Sequence, residues 1–131
     1  MRRSSPPWST GLWAVAAGGA IGTAARAGLV WLLPAHPGGF PATVFAINVA
    51  GTLALGWLVG RWSRSASRPE WHLAFFGTGV LGSFTTFSAL AFDVAALAGP
   101  RPWVALAYAL ASVVAGWVAA AVGWALGRSR A

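Results

Sequence analysis

Cysteine and lysine are absent from this chain of 131 residues, and acidic residues are almost absent. Without cysteine, the protein has no disulfide, no thiolate metal ligand and no cysteine nucleophile. Charged residues make up 8% of the sequence and hydrophobic residues 57%, whereas soluble domains carry about 25% charged residues. A chain with so few charges cannot form a solvated surface, and its mean hydropathy is +0.66. The composition therefore predicts an integral membrane protein.

Acidic side chains are limited to Glu70 and Asp93, and neither lies deep inside an apolar run. A proton-coupled pump would need an ionisable relay within the membrane, so this function is disfavoured. His36 and His72 lack the neighbours that would indicate a metal site or an acid–base pair. The sequence contains no nucleophile elbow, phosphate-binding loop or metal-ligand spacing, and we therefore predict that the chain is not an enzyme.

Four apolar runs are long enough to cross a bilayer as helices, which takes about 20 residues each. They cover residues 11–33, 43–62, 71–97 and 103–126. The connections between them are too short to separate two domains. The sequence predicts an all-α integral membrane protein with a single four-span domain, residues 1–131. A cleaved signal peptide is a competing interpretation of the first run, but Arg26 within it and the lack of a clear cleavage site disfavour that interpretation.

The arginine distribution predicts the orientation of the spans. With four spans both termini share one side, and seven of the nine basic residues lie on that side, whereas only Arg101 lies on the other. Because arginine-rich connections stay inside, both termini are predicted to be cytoplasmic. The arginines are spread over termini and connections, so no nucleic-acid partner is expected. The seven are Arg2, Arg3, Arg61, Arg64, Arg68, Arg128 and Arg130.

The third apolar run is interrupted by glycine and hydroxyl residues over residues 77–88. Hydrocarbon contains no water to satisfy a freed backbone, so such a stretch is tolerated only where it is buried in protein or lines a watery path. Broken helices at mid-membrane form ion sites in many transport proteins. We therefore predict that the third helix breaks at mid-membrane and that the chain conducts an ion.

Polar residues recur at helical spacing on two other spans: Asn48 lies four residues before Thr52, and Tyr108 lies four before Ser112. Residues at this spacing share a helix face. A buried amide needs a partner, and Asn48 has two interpretations, a helix–helix hydrogen bond or an N–H donor that faces an anion. The positive edge of the Phe87 ring could face an anion without trapping it. A four-span unit this small has little interior, so a pore would need a second subunit.

Three sequence motifs lie in register along the chain. They are Gly-Gly-Ala-Ile-Gly-Thr-Ala-Ala-Arg at residues 18–26, Asn-Val-Ala-Gly-Thr at 48–52 and Gly-Ser-Phe-Thr-Thr-Phe-Ser at 82–88. Together they resemble the fluoride channel family called Fluc or CrcB. The resemblance implies a fluoride-selective channel subunit of the bacterial plasma membrane, which exports fluoride passively and so lowers fluoride toxicity. It also implies an antiparallel dimer with two narrow pores.

The resemblance assigns roles to individual residues. Arg26 matches an arginine near one pore mouth, where its charge could raise the local anion concentration. Gly82 and Thr85 match positions whose backbone carbonyls hold a structural sodium ion between the subunits. Asn48 would donate a hydrogen bond to fluoride, and Phe87 would be one pore-lining ring. The complete fluoride path would consist of Asn48, Thr52, Thr86, Phe87, Ser88, Tyr108 and Ser112.

Two positions depart from the family pattern. Leu90 replaces a second phenylalanine, and Val44 stands where the family often has threonine. Leucine has no positive ring edge, so one pore face loses an anion contact. Phe92 is near, but on a regular helix it would point elsewhere. The sequence therefore leaves open an alternative function, a non-conducting partner subunit of a heterodimeric fluoride channel.

A small multidrug-type cation/proton antiporter is a further alternative, because such proteins also have four short spans. Their chemistry needs a membrane-embedded carboxylate in the first span, and this chain has Arg26 there and no acid. The antiporter is therefore disfavoured. The arginine bias also predicts the type of dimer, since one sequence with this bias would not insert equally in both orientations. The expected partner is an oppositely oriented paralogue, which makes a heterodimer.

Overall fold

The computed structural model describes residues 7–63 and 70–129, and in these ranges all regular secondary structure is helical. Four helical spans are long and apolar enough to cross a membrane, which confirms the predicted all-α, multi-pass membrane protein. The predicted signals at Arg2, Arg3, Arg64, Arg68 and Arg130 lie outside the described residues. The four spans are Gly11–Leu32, Ala42–Trp62, Leu73–Ala98 and Pro102–Ser129.

The first, second and fourth spans are continuous helices. The third span is composed of several helical pieces. The continuous helices are α1 (Pro7–Leu32), α2 (Ala42–Trp62) and α6 (Pro102–Ser129). The third span consists of α3 (Glu70–His72), a π-helix (Leu73–Leu81), α4 (Gly82–Phe84) and α5 (Phe87–Ala98).

Prolines and a few tertiary contacts define the connections at the end of the molecule away from the termini. Pro34 follows the end of α1, and Pro102 occupies the first position of α6, where its missing N–H leaves no helical bond unmade. The Thr43 hydroxyl donates to the Leu33 carbonyl at 2.5 Å. Gly38 adopts a φ of 71°, and its carbonyl accepts a 2.9 Å hydrogen bond from Arg101. These bonds tie the connection between α1 and α2 to the start of α6.

Glycines allow α2 and α6 to touch through their backbones over the half nearest the chain termini. A Cβ atom added at Gly56 would lie 2.5 Å from the Ala120 carbonyl oxygen. At Gly60, Gly123 and Gly127 an added Cβ would be closer still to backbone carbonyls of the facing helix. Small residues permit this approach between membrane helices. This contact, which we call the glycine seam, fixes the position of α6 relative to α2.

A second glycine contact joins α1 to the third span. A Cβ atom added at Gly18 or Gly22 would overlap the carbonyl oxygens of Phe75 and Val80, respectively. Both carbonyls belong to the π-helix, a form that usually occurs as single turns within α-helices and often at functional sites. Its wider bonding is visible at its end, where the Gly82 N–H donates to the carbonyl of Gly77, five residues earlier. At Gly18 and Gly22, helix α1 therefore packs against the backbone of the third span.

The helix of the third span is interrupted after Phe84. Thr85 has a ψ of 155°, and Thr86 has a φ of −150° with a ψ of 118°, so both are extended. Helix α5 then begins at Phe87 with Thr86 as its N-cap, because the Thr86 hydroxyl accepts from the Ala89 N–H at 3.2 Å. A threonine at this position satisfies one of the N–H groups that a helix start leaves free. The interruption falls within the glycine- and hydroxyl-rich residues 77–88.

Candidate functional site

Asn48 fixes the interruption to α2 through two hydrogen bonds to one residue. Its Nδ2 donates to the Thr86 carbonyl at 3.0 Å, and the Thr86 N–H donates to its Oδ1 at 2.8 Å. Only one orientation of the amide satisfies both bonds, so the network itself defines which atom is oxygen and which is nitrogen. The helix–helix hydrogen bond considered from the sequence therefore exists. One of the two amide N–H bonds remains for a further acceptor, so the two interpretations of Asn48 are compatible.

Hydroxyl groups satisfy much of the remaining backbone at the interruption. The Thr85 N–H and its side-chain hydroxyl both donate to the Leu81 carbonyl at 3.1 Å. The hydroxyl oxygens of Thr86 and Ser88 lie 3.1 Å apart and share a hydrogen bond. The side chains of Thr85, Thr86 and Ser88 thus make hydrogen bonds within the third span. They also add polar surface beside the interruption.

A cavity of about 270 Å³ opens beside the Asn48–Thr86 pair, and we call it the amide cavity. Four predicted path residues besides Thr86 line it, and so does Leu90, one of the two departures from the family pattern. The Ser112 hydroxyl is buried and has no hydrogen-bond partner among the described residues. Such a group usually indicates a missing water, ion or ligand. The lining consists of Asn48, Thr52, Thr85, Thr86, Phe87, Leu90, Ser112, Val113 and Gly116.

A larger cavity of about 830 Å³ lies on the other side of Thr86, and we call it the arginine cavity. Thr86 lines both cavities, and it is the one described residue that the two linings share. The arginine cavity contains the predicted residues Arg26 and Ser88 and the second departure, Val44. Its lining consists of Arg26, Ala27, Val30, Trp31, Pro34, Val44, Thr86, Ser88, Ala89, Phe92 and Asp93.

Tyr108 and Gly82 line neither of these two cavities. Tyr108 is 0% exposed, its ring packs edge-on against Phe40 with the centroids 5.2 Å apart, and its hydroxyl donates to Asp93 Oδ2 at 3.3 Å. In the isolated chain its contact with the arginine cavity is thus indirect, through the Asp93 carboxylate. Gly82 lies in the last turn of α4 and contributes backbone only.

Sequence reasoning gave no site role to two residues that line the arginine cavity. Asp93 was assigned to the outer end of the third span, and Phe92 to a different helix face. Both lie beside Arg26 and Ser88 in the structure, and 73% of the Phe92 surface is exposed. The spacing gave a signal, because Phe92 follows Ser88 by four residues and so shares its helix face. Phe92 points away from Leu90 as expected, since Leu90 lines the amide cavity and Phe92 lines the arginine cavity.

Arg26 reaches the interruption from α1. Its Nε donates to the Ser83 carbonyl at 3.2 Å, and the bond is partly buried. Ser83 lies in the last turn of α4, where helix carbonyls lose their intrahelical partners. The guanidinium therefore satisfies one of the carbonyls that the interruption frees.

The chemistry of the helix end also determines which cations could be held there. The last turn before Thr85 exposes backbone carbonyl oxygens, which are the ligands that a hard cation such as sodium accepts. Two of these oxygens already have partners, Leu81 with Thr85 and Ser83 with Arg26. In the described part of the chain, no three His, Asp or Glu side chains form a cluster that could hold a metal ion. The donor set at Gly82 and Thr85 therefore fits sodium through main-chain oxygens.

Comparison with known proteins gives a consistent result. The family described as "CrcB-like protein, Camphor Resistance (CrcB)" matches residues 13–124. The "Fluoride-specific ion channel FluC 2" of Bacillus subtilis (strain 168) is 41% identical over 116 residues, which cover 88% of this chain and 86% of the relative. The "Fluoride-specific ion channel FluC" of Deinococcus radiodurans is 42% identical over 127 residues, which cover 95% and 97%.

A third relative is similar over a comparable length. The "Fluoride-specific ion channel FluC 1" of Streptomyces coelicolor is 46% identical over 123 residues, covering 87% of this chain and 75% of the relative. The family match over residues 13–124 reaches all four spans and contains the lining residues of both cavities. The chain belongs to the CrcB family.

Proposed function

We propose that this chain is a subunit of a fluoride-selective channel that lets fluoride leave the cytoplasm passively. The observation that supports this most directly is the amide cavity, where the free N–H of Asn48 and the orphan hydroxyl of Ser112 lie on one small volume. The relatives are named fluoride-specific ion channels. Hydrogen fluoride crosses membranes as a neutral acid and ionises inside, so the trapped anion needs such a path.

Selection of fluoride follows from the small size and strong hydration of the ion. A narrow path must replace lost water with hydrogen-bond donors, and a site that fits fluoride is too tight for chloride. Asn48 and Ser112 supply such donors from opposite helices. The edge of the Phe87 ring adds weak positive character. The lining of the amide cavity includes no charged side chain, so an ion is stabilised without being held.

The CrcB family consists of channels, which confirms the prediction that the chain is not an enzyme. The antiporter alternative is also set aside. Helix α1 carries Arg26 and no acidic residue, so the carboxylate that would bind proton and drug in turn is missing.

We also infer that the interruption lies near the middle of the bilayer, with both termini in the cytoplasm. The span Leu73–Ala98 contains 26 residues, and Thr85 and Thr86 are the central two. The two cavities on either side of Thr86 would then extend toward opposite membrane surfaces. The arginine excess on the terminal side supports this orientation.

An antiparallel dimer is part of the same proposal. Phe87 is 81% exposed although it lines the amide cavity, so the isolated chain leaves the cavity open. A second subunit would close it against lipid. The arginine bias favours an oppositely oriented paralogue as the partner. The accessibility of single cysteines introduced at the termini of this cysteine-free chain would test the choice of partner. Equal numbers of inside and outside termini in cells that express the chain alone would favour a dual-topology homodimer instead.

We infer a structural sodium ion at the carbonyl oxygens of Gly82 and Thr85. The support is the helix end at Phe84 and the extended conformation of Thr85, which together free main-chain acceptors. Sodium bound there would supply positive charge that neutralises the helix end and cross-links the subunits. Exchanging all sodium for a large organic cation over a long incubation should weaken assembly and flux. Unchanged assembly together with unchanged flux would refute this site.

The decisive experiment measures fluoride efflux from liposomes that contain this chain alone or with an oppositely biased paralogue. We expect fluoride efflux and no chloride efflux from the complete assembly. A non-conducting subunit is a second candidate function, and Leu90 in the lining of the amide cavity favours it. If this chain does not conduct, substitutions in its amide cavity should leave the efflux of the mixed dimer unchanged. No fluoride efflux from either preparation would refute the channel proposal.

A further inference from the structure

Three residues of α1 form a stripe that faces the third span. Gly18, Gly22 and Arg26 are four residues apart, so they lie on one face of the helix. The first two allow α1 to touch the carbonyls of Phe75 and Val80. Arg26 continues the stripe and ends at a third carbonyl, that of Ser83. All three contacts are therefore made to main-chain oxygens of one span.

The third contact differs from the others because it is directional. The glycine contacts bring the two backbones close together, but they do not fix the position of one helix along the axis of the other. The Nε–H of Arg26 points at a single carbonyl, 3.2 Å away, in the last turn before the interruption. A partly buried carbonyl that loses its donor carries a free-energy penalty. This bond therefore ties the end of α4 to α1.

Thr86 is then held from two sides. Asn48 binds its backbone from α2, and Arg26 binds the backbone three residues earlier from α1. Between these two attachments the chain contains Phe84 and Thr85, where the helix stops. The position of Thr86 between the two cavities depends on both attachments.

We propose that Arg26 is a positioning residue, which acts on ion flux through its Nε hydrogen bond to the Ser83 carbonyl and not through its charge. This inference rests on the proposed channel function. It differs from the role that the family resemblance implies, in which the charge of Arg26 concentrates anions at a pore mouth. The bond sets the end of α4, and through it the place of Thr86 in the path.

Three substitutions separate the bond from the charge. Glutamine places its Nε2 the same number of bonds from the backbone as the arginine Nε, so Arg26→Gln keeps a donor there and removes the charge. Lysine has a methylene carbon at that position, so Arg26→Lys keeps the charge and moves the N–H donors one atom farther from the backbone. Methionine carries a methyl carbon there, so Arg26→Met removes both. The three side chains are flexible and of similar length, which makes them matched variants.

The first readout is fluoride efflux from liposomes, normalised to folded protein. We expect Arg26→Gln to conduct faster than both Arg26→Lys and Arg26→Met, with the methionine variant slower than wild type by about tenfold, the equivalent of one unsatisfied acceptor. A higher flux in the lysine variant than in the glutamine variant would mean that the charge matters, and would overturn the proposal. Equal flux in all three variants would overturn it as well.

The second readout does not depend on fluoride. The chain has no cysteine, so Ala89→Cys introduces a single thiol into the arginine cavity beside Thr86. We expect Arg26→Met and Arg26→Lys to change the labelling rate of this thiol by a small neutral reagent several-fold, and Arg26→Gln to leave it near the wild-type value. A residue that only stabilises the fold would leave this rate unchanged in all folded variants, which would refute positioning. If the wild type failed to conduct, the channel proposal would fail while this measurement still tested Arg26.

Discussion

Helices α2 and α6 differ along their length: one half forms a close backbone contact, and the other half lines a polar cavity. Toward the chain termini they meet in the glycine seam, where Gly123 of α6 faces the Leu53 carbonyl and Gly56 of α2 faces that of Ala120. Farther from the termini the same helices line the amide cavity, with Asn48 and Thr52 on one helix and Ser112 on the other. One helix pair thus forms both a sealed contact and an open polar volume.

The difference comes from the side chains that each half carries. In the glycine seam the absence of Cβ atoms brings the two backbones together. In the amide cavity the third span intervenes with Thr85 and Thr86, so polar groups from three helices converge. The seam should therefore respond to added volume, and the cavity should respond to changes in hydrogen bonding.

The largest effect on stability should come from adding a single methyl group to the seam. In Gly123→Ala the new Cβ would overlap the Leu53 carbonyl and lie 2.9 Å from the Trp57 nitrogen, so the helices must move apart. Overpacking of this kind costs about 1–3 kcal/mol, and we expect a clearly lower thermal stability in detergent. Gly116→Ala on the same helix is the control, because nothing lies within 4 Å of its added Cβ. Equal stability of the two variants would contradict the seam.

Removing the orphan hydroxyl should lower flux without lowering stability. The Ser112 oxygen has no partner among the described residues, so Ser112→Ala breaks no bond of the folded chain and should leave or raise the melting temperature. If the hydroxyl donates to fluoride, efflux should fall by about tenfold, the value of one hydrogen bond to a charged group. A drop in stability with unchanged efflux would show that the hydroxyl serves packing instead.

The smallest effect should come from restoring an aromatic ring beside the amide cavity. Leu90→Phe replaces a leucine in the lining with a ring whose edge is weakly positive. We expect efflux to rise by a few-fold, measured in liposomes. Leu106→Phe is the control for added aromatic volume, because Leu106 is 49% exposed and lies outside the cavity lining. A decrease in efflux confined to Leu90→Phe would mean that the leucine sets the width of the path.

The four spans and the interrupted segment were readable from the sequence because both depend on local composition. The length of each apolar run determines the spans. The glycines and threonines lower the helix propensity of the third span, whichever helices it contacts. The pairing of Asn48 with Thr86 was not readable, since 38 residues separate them and the spacing of polar residues does not show which spans are neighbours. The hydrogen bond from Arg26 to the Ser83 carbonyl was not readable for the same reason, since 57 residues separate the two.

Asp93 and Phe92 show a second limit of sequence reasoning. Neither was given a place in the fluoride path, because Phe92 was expected to point away from the position of Leu90 and Asp93 to lie outside the deep part of its span. The extended conformation of Thr86 gives the interruption two sides, each with its own cavity. The sequence alone does not show which side chains of α5 meet each cavity.

The most direct test of the account is fluoride efflux through Asn48→Asp. This change replaces the Nδ2 donor with an oxygen of nearly the same size, so it removes the hydrogen bond to the Thr86 carbonyl and introduces a negative charge on the amide cavity. Like charges about 4 Å apart repel by about 4 kcal/mol at an effective dielectric of 20, which corresponds to roughly a thousandfold slower passage. We predict that the variant still inserts and assembles through the intact glycine seam but conducts no measurable fluoride. Wild-type efflux from assembled Asn48→Asp would contradict the claim that fluoride passes beside Asn48.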